Sequence, residues 1–208
     1  GGELHATVKE KEEIAVRFAF CFPDIYEVGM SHLGMKILYQ VLNDLPFVWC
    51  ERVFAPWVDF EQMMCRHQIP LYALESYDPL SAFDIIGFTL QYELSYTTVL
   101  QMLSLGNIPV WSKDRTALSP LVVAGGPCAC NPEPLADFID LFMLGEGEEM
   151  IVELVTLYER AKREGWDKNR FLRCAADIEG IYVPSLYQVE YLPDGTVKSI
   201  EPMDGAPK

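Results

Sequence analysis

The chain is short of positive charge. Its 208 residues include 16 Lys and Arg against 31 Asp and Glu, a formal net charge of −15. A surface that negative repels phosphate backbones and anionic lipid headgroups, so direct nucleic-acid binding by this domain is excluded, and any RNA or DNA substrate must be held by another. Long apolar runs are also missing. None approaches the roughly 18 to 20 residues that cross a bilayer, so the chain is expected not to span a membrane. Internal repeats and low-complexity tracts are absent. The six cysteines (Cys21, Cys50, Cys65, Cys128, Cys130, Cys174) lie in or beside apolar runs, not at the dense spacing of a small secreted scaffold, and this usage reads as a reducing cytoplasm. The sequence opens Gly1-Gly2-Glu3 without Met and reads as a fragment of a longer chain.

What is present suits a packed core. Half the composition is apolar, enough to bury one main domain without a covalent staple. Strand-like apolar runs are expected over residues 14–22, 52–55, 71–74, 85–90, 121–124 and 141–144. Between them, Leu33, Ile37, Leu38, Val41 and Leu42 share one helical face, and a second helix runs over 94–105, up to Gly106. A third is expected over 148–163 and a short fourth over 168–176. Residues 108–120, with Trp111, Lys113, Asp114 and Arg115, lack periodicity and read as an excursion. Continuous apolar strands separated by helices imply a parallel sheet covered on both faces. After residues 181–183, the alternation over 187–191 and 196–200, broken at Asp194-Gly195, signals a β-hairpin. The expected fold class is therefore α/β, a doubly wound, Rossmann- or flavodoxin-like sheet, with a C-terminal β-hairpin. The expected division is residues 1–176 for the α/β domain and 177–208 for a hairpin extension or linker.

The turn after the first strand, Phe22-Pro23-Asp24-Ile25-Tyr26-Glu27-Val28-Gly29, is acidic. In a doubly wound sheet ligands meet such turns, and Asp24 with Glu27 argues against phosphate. Two further strand ends, Gly87-Phe88-Thr89 and Ala124-Gly125-Gly126-Pro127, carry small or polar residues. Glycines on that edge allow a large flat ligand to approach the backbone, although Gly125-Gly126-Pro127 serves equally as a tight turn. Gly145-Glu146-Gly147 offers Gly-x-Gly between strand and helix, but its glutamates repel pyrophosphate and suit a helix start; Glu146 additionally faces the ligand edge or a further domain. Gly29-Met30-Ser31-His32 fails the Gly-x-Ser-x-Gly pattern of a hydrolase elbow. Ser31 is expected to cap a helix with His32 in its first turn, and a lone histidine is no metal signature. Cys21, Cys128 and Cys130 could gather three sulfurs on one edge, although isolated cysteines are more often small buried hydrophobes. Asp59, Glu61, Glu75 and Asp78 read as solvated charge or helix caps.

The order Asp24, Gly29, Thr89, Gly125, Gly126 resembles the pattern of cobalamin-binding domains. More closely, Phe22 to Gly34, Glu51-Arg52-Val53-Phe54-Ala55-Pro56-Trp57, Gly125 to Pro134 and Leu144-Gly145-Glu146-Gly147-Glu148-Glu149 are similar to the amino-terminal half of an uncharacterised group of radical SAM proteins. The resemblance implies a cobalamin-binding-like domain preceding a radical SAM barrel, which would be the partner of this domain. The cofactor-binding residues it implies are Asp24, Tyr26, Gly29, Thr89, Gly125, Gly126 and Glu146, with the corrin across Asp24 to Gly29 and Gly125-Gly126 and its nucleotide tail running past Thr89. Tyr26 stands where many such domains carry a cobalt-ligating histidine, and a phenol of pKa near 10 is a poor ligand at neutral pH, so cobalamin is expected without a protein histidine there. The superfamily's Cys-x-x-x-Cys-x-x-Cys is absent, which leaves S-adenosylmethionine and the [4Fe–4S] cluster to the missing domain. The alternative is a domain that has lost its cofactor and serves as a docking surface. Tyr182, Tyr187 and Tyr191 are expected to pack against the absent barrel rather than make a dimer. Nothing in these residues indicates an oligomeric state or a substrate.

Overall fold

The computed structural model describes residues 6–203, 206 and 207. Strands covered on both faces must be apolar along their length. β1 (Val16–Phe22), β3 (Ile85–Thr89), β4 (Leu121–Gly125) and β5 (Leu141–Met143) are so almost without exception. Together with β2 (Val48–Phe54) they lie parallel in the order β2-β1-β3-β4-β5, and β6 (Ile181–Tyr182) joins antiparallel to β5. The chain order reverses between β1 and β3, which makes the carboxyl end of that pair the topological switch point.

The helices divide between the two faces. Phe18, Phe20 and Phe22 of β1 pack with α2 (Leu33–Asp44), α5 (Gly147–Glu164) and α6 (Lys168–Ala175), whereas Ala19 and Cys21 pack with α3 (Val58–His67) and α4 (Tyr96–Leu105). Each buried Phe contributes about 1.5–3 kcal/mol of transfer free energy. α1 (Tyr26–Ser31) is a short helix between β1 and α2. α5 places Glu148 and Glu149 in its first turn and Lys162 and Arg163 in its last, as the macrodipole favours, and stops at Gly165 in the left-handed conformation.

Two expectations fail around β2. The strand starts at Val48, four residues before the apolar run suggested, because Glu51 and Arg52 lie inside it with their charges neutralised. Arg17 Nη2 donates to Glu51 Oε1, while Arg52 Nε donates to Glu75 Oε1 at 2.7 Å and Arg52 N to Glu75 Oε2 at 2.8 Å. The guanidinium of Arg17 also lies 4.4 Å over Phe83, and that of Arg52 4.5 Å over Tyr39. Residues 71–74 do not form a strand: they make one isolated bridge, Tyr72 to Pro79. The reason is again ionic, since the loop turns Glu75 toward Arg52 and Asp78 toward Arg17. Glu75, read from the sequence as solvated charge, has no exposed side-chain surface, and Asp78 is largely covered.

The excursion over 108–120 is sewn down by Arg115, whose guanidinium reaches Asp140 and the carbonyls of Pro109, Val110 and Phe138. Lys168 Nζ donates to the same Asp140 at 2.8 Å. β7 (Tyr187–Tyr191) and β8 (Val197–Pro202) form the hairpin as a separate two-stranded sheet. Its tyrosines pack within this chain. Tyr182 and Tyr191 donate to the two oxygens of Glu133 at 2.8 and 2.7 Å, and the Tyr182 and Tyr187 rings lie 5.2 Å apart.

Candidate functional site

The loops that leave β1, β3 and β4 share one rim, because the strands are neighbours and parallel. Thr89 pairs with Gly125 in the ladder, and Leu90 N donates to Gly125 O at 2.7 Å. Asp24 is drawn to this rim: Tyr92, on the loop after β3, donates its hydroxyl to Asp24 Oδ2, and Asp24 Oδ1 accepts from Ile25 N at 2.7 Å. The bond to that carboxylate holds the Tyr92 phenol above its ordinary range. Asp24, Thr89 and Gly125 therefore converge.

Below the rim, over β1, β3, β4 and β5, lies a cavity of about 190 Å³ roofed by α2 and α5. Its lining is unusual in having six glycines, Gly34, Gly87, Gly125, Gly126, Gly145 and Gly147. They do not all serve the cavity. A Cβ on Gly87 would lie 2.5 Å from the Phe18 ring, and one on Gly126, at φ +98°, would lie 2.9 Å from Leu90 O, so packing and the turn already require both. Gly145, at φ +116°, has no atom within 4 Å of the Cβ position, and Gly125 and Gly147 have ordinary clearances of 3.6 and 3.5 Å. The backbone at Gly145 also requires glycine, so Gly125 and Gly147 are the two whose missing side chains keep space open. Thr89, Gln91, His32 and Glu148 are the polar groups around it, with Gln91 Nε2 donating to Thr89 Oγ1 at 2.6 Å.

Of the residues singled out from the sequence, Thr89, Gly125 and Gly126 line this cavity and Asp24 sits at its rim. Tyr26 and Gly29 lie elsewhere. Tyr26 packs edge-on against Phe54, with ring centroids 5.4 Å apart, and lines a different cavity on the β2 side. A Cβ on Gly29 would lie 2.2 Å from Phe54 and 3.0 Å from Phe22, so its bare backbone serves the seating of α1 on the strands. Glu146 is exposed at the N-cap of α5, beside but not among the lining residues.

His32, rather than Ser31, caps α2. Its Nδ1 accepts from Met35 N at 3.2 Å and its ring lies 5.3 Å from Phe22, so one ring nitrogen is committed to the helix end. Gly87, read from the sequence as part of the ligand edge, lines the cavity, whereas Gln91, Gly145 and Gly147 were not anticipated as lining residues. The signal for the last two was present in Gly-x-Gly after a parallel strand, where the intervening glutamate drew attention to phosphate instead. The sulfurs do not assemble: among the described residues no group of three or more His, Cys, Asp or Glu is placed to hold a metal ion. All six cysteines are free, and burial pushes the Cys21 and Cys50 thiols well up, which makes them inert. Among the described residues no helix is long and apolar enough to cross a membrane.

Residues 34–184 match the family model described as radical SAM proteins, N-terminal. An uncharacterized protein of Methanocaldococcus jannaschii is 34% identical over 187 residues, covering 88% of this chain and 31% of its own length. Among solved structures, a radical S-adenosylmethionine methyltransferase from Kitasatospora setae, TsrM, determined with its tryptophan substrate and a SAM analogue, is similar at a TM-score of 0.47 and 17% identity. That similarity covers 86% of this chain and 29% of the other. The chain thus spans about a third of the length of the relatives it matches.

Proposed function

The chain belongs to the family of radical SAM proteins' N-terminal domains, and from that membership we propose that it is a cobalamin-binding-type module. In this reading it positions the cofactor for radical chemistry performed by a radical SAM domain elsewhere in a longer protein. The observation that carries the reading is the glycine-lined cavity at the β1/β3 switch point, opening on the rim that holds Asp24, Thr89 and Gly125.

The residues present fit such a group in a particular way. A volume of about 190 Å³ would accept one flat heterocycle, such as a nucleotide tail, and not a macrocycle, which leaves Asp24, Thr89 and Gly125 at the rim as the residues that would meet the corrin. The empty Cβ position of Gly145 gives the tail entry, and Thr89 and Gln91 offer it hydrogen bonds. Asp24, fixed by Tyr92 and Ile25 N, would offer the remaining lone pairs of its carboxylate to donors of the bound group. Tyr26 sits in the other cavity, so no side chain from that position reaches the metal. Bound cobalamin supplies a reactive cobalt centre; the protein contributes binding, orientation and exclusion of water. S-adenosylmethionine and the [4Fe–4S] cluster belong to the radical SAM domain, since no Cys-x-x-x-Cys-x-x-Cys occurs here. Six unpaired cysteines support a reducing compartment such as the cytoplasm.

The test is spectroscopic. After incubation with hydroxocobalamin and desalting, the wild-type chain is expected to retain corrin absorbance. Gly147→Leu grows a side chain into the cavity from the first turn of α5, where no strained φ opposes it, and is expected to lose the colour while keeping its circular dichroism. A second reading, a docking domain without cofactor, is favoured by the position of Tyr26. Complete loss of corrin from the wild type decides for that one.

A further inference from the structure

On the β2 side of the same rim is a second, larger cavity of about 520 Å³, formed where the chain leaves β1 and β2. We propose that it is a binding site for a small organic cation, an alkylated ammonium. Five aromatic rings line it, those of Tyr26, Phe54, Trp57, Phe60 and Tyr72. Tyr26 meets Phe54 edge-on at 5.4 Å, with 74° between ring planes, and Phe60 meets Tyr72 at 6.5 Å and 88°. The two pairs meet edge to face and are not stacked, so their rings lie in different planes around the cavity.

The charge around the cage has one sign. Glu27 and Asp59 are the ionisable side chains other than tyrosine in its lining, and no Lys, Arg or His joins them. An anion is repelled there and a neutral apolar ligand gains only from area. A cation gains from each well-placed ring face and from Coulomb attraction to the carboxylates. An alkylated ammonium answers both features, because its methyl groups fill apolar space while its charge meets the π faces. Exposure supports a ligand site: Trp57 is 63% exposed and Phe60 44%, so two large rings of the cage face water in this chain. The cage also accounts for the segment Phe54-Ala55-Pro56-Trp57, which the cofactor reading leaves unused. It shares no lining residue with the β1/β3 cavity and does not depend on cobalamin being bound there.

The experiment compares choline with 3,3-dimethyl-1-butanol, its neutral isostere, by calorimetry and by the shift of the Trp57 indole N–H resonance, assigned by its loss in Trp57→Phe. Saturable choline binding, at least about ten-fold tighter than that of the alcohol, is the expected result. Trp57→Ala and Phe60→Leu, both at exposed positions, are expected to weaken it about ten-fold with unchanged urea midpoints. Asp59→Asn is expected to weaken it several-fold and flatten its salt dependence. Equal affinity for the two compounds, no saturation by about 10 mM choline, or binding indifferent to Trp57→Ala overturns the proposal. Gly147→Leu, which abolishes corrin retention in the cobalamin reading, leaves choline binding intact, so the two ideas fail separately.

Discussion

Arg52 and Glu75 form a pair whose partners are almost fully covered, and in such a pair the loss of one member costs more than the pair contributes. Arg52→Leu leaves a carboxylate buried without its counter-ion, at a cost of about 3–5 kcal/mol, read as a fall in the urea midpoint. The double change Arg52→Leu with Glu75→Leu is expected to recover most of it. Burial already pushes the Glu75 carboxyl up, against the bonds from Arg52. A raised carboxyl holds its proton longer in the folded than in the unfolded chain, so this group's contribution is present at low pH and lost as pH rises through the folded value. Removing Arg52 enlarges that shift, and the variant should regain stability between pH 7 and pH 5 more than the wild type does. A deficit equal at both pH values would rule out an unpaired carboxylate as its cause. At the rim, Tyr92→Phe removes the bond to Asp24 and is expected to cost about 0.5–1 kcal/mol, the low end because both groups meet water. The Tyr92 phenol is raised, so the wild-type advantage stands below the unfolded tyrosine's pKa of about 10 and disappears as pH climbs through the higher folded value. A Tyr92→Phe difference that persists unchanged well above that value contradicts the assignment.

The hairpin β7–β8 is tied to the body through Glu133, which accepts from both Tyr182 and Tyr191. The bond to Glu133 is the larger cause, burial the lesser, that pushes the Tyr191 phenol up to about 12. Glu133→Ala should release the hairpin alone: amide exchange over 187–202 rises roughly five-fold, the equivalent of about 1 kcal/mol, while exchange in β1 and β3 stays as it was. Equal acceleration in both sheets would show that Glu133 supports the whole fold. The hairpin itself was legible in the sequence, since Asp194-Gly195 between alternating runs has few other readings. So were β1, β3, β4, β5, α2 and α5, whose apolar runs or helical stripes are long. β2 was half legible because a buried ion pair looks like a polar break until the partner, 23 residues on, is known. α3 was missed for a different reason, as it is short and buries only Met64, leaving Val58, Phe60 and Met63 exposed. At the site, Thr89, Gly125 and Gly126 could be placed from small residues after parallel strands. Tyr26 and Gly29 could not, because both pack on Phe54, a contact that depends on β2 lying beside β1, which the order of elements along the chain does not reveal.

Across the whole molecule the interior charges balance. Arg17, Arg52, Arg115, Lys162 and Lys168 are set against Glu51, Glu75, Asp78, Asp84 and Asp140, so the surplus of 15 negative charges lies on the rest of the surface. Folding brings that surplus together, and self-repulsion opposes the compact state more than the extended one. Salt weakens repulsion between surface charges as the Debye length falls from about 30 Å at 0.01 M to about 8 Å at 0.15 M, while buried pairs are screened much less. The urea midpoint is therefore expected to rise with sodium chloride over that range at pH 7, with an unchanged denaturant slope. Near pH 5, close to the isoelectric point of about 4.5, most of the surplus is gone and the rise should shrink. A midpoint that falls with salt would mean that surface ion pairs such as Arg163–Glu159 and Lys198–Glu190 outweigh the net repulsion. A rise of equal size at both pH values would point to general salting-out of the apolar surface that unfolding exposes and away from charge, and the acidic surface would lose its energetic meaning for the fold.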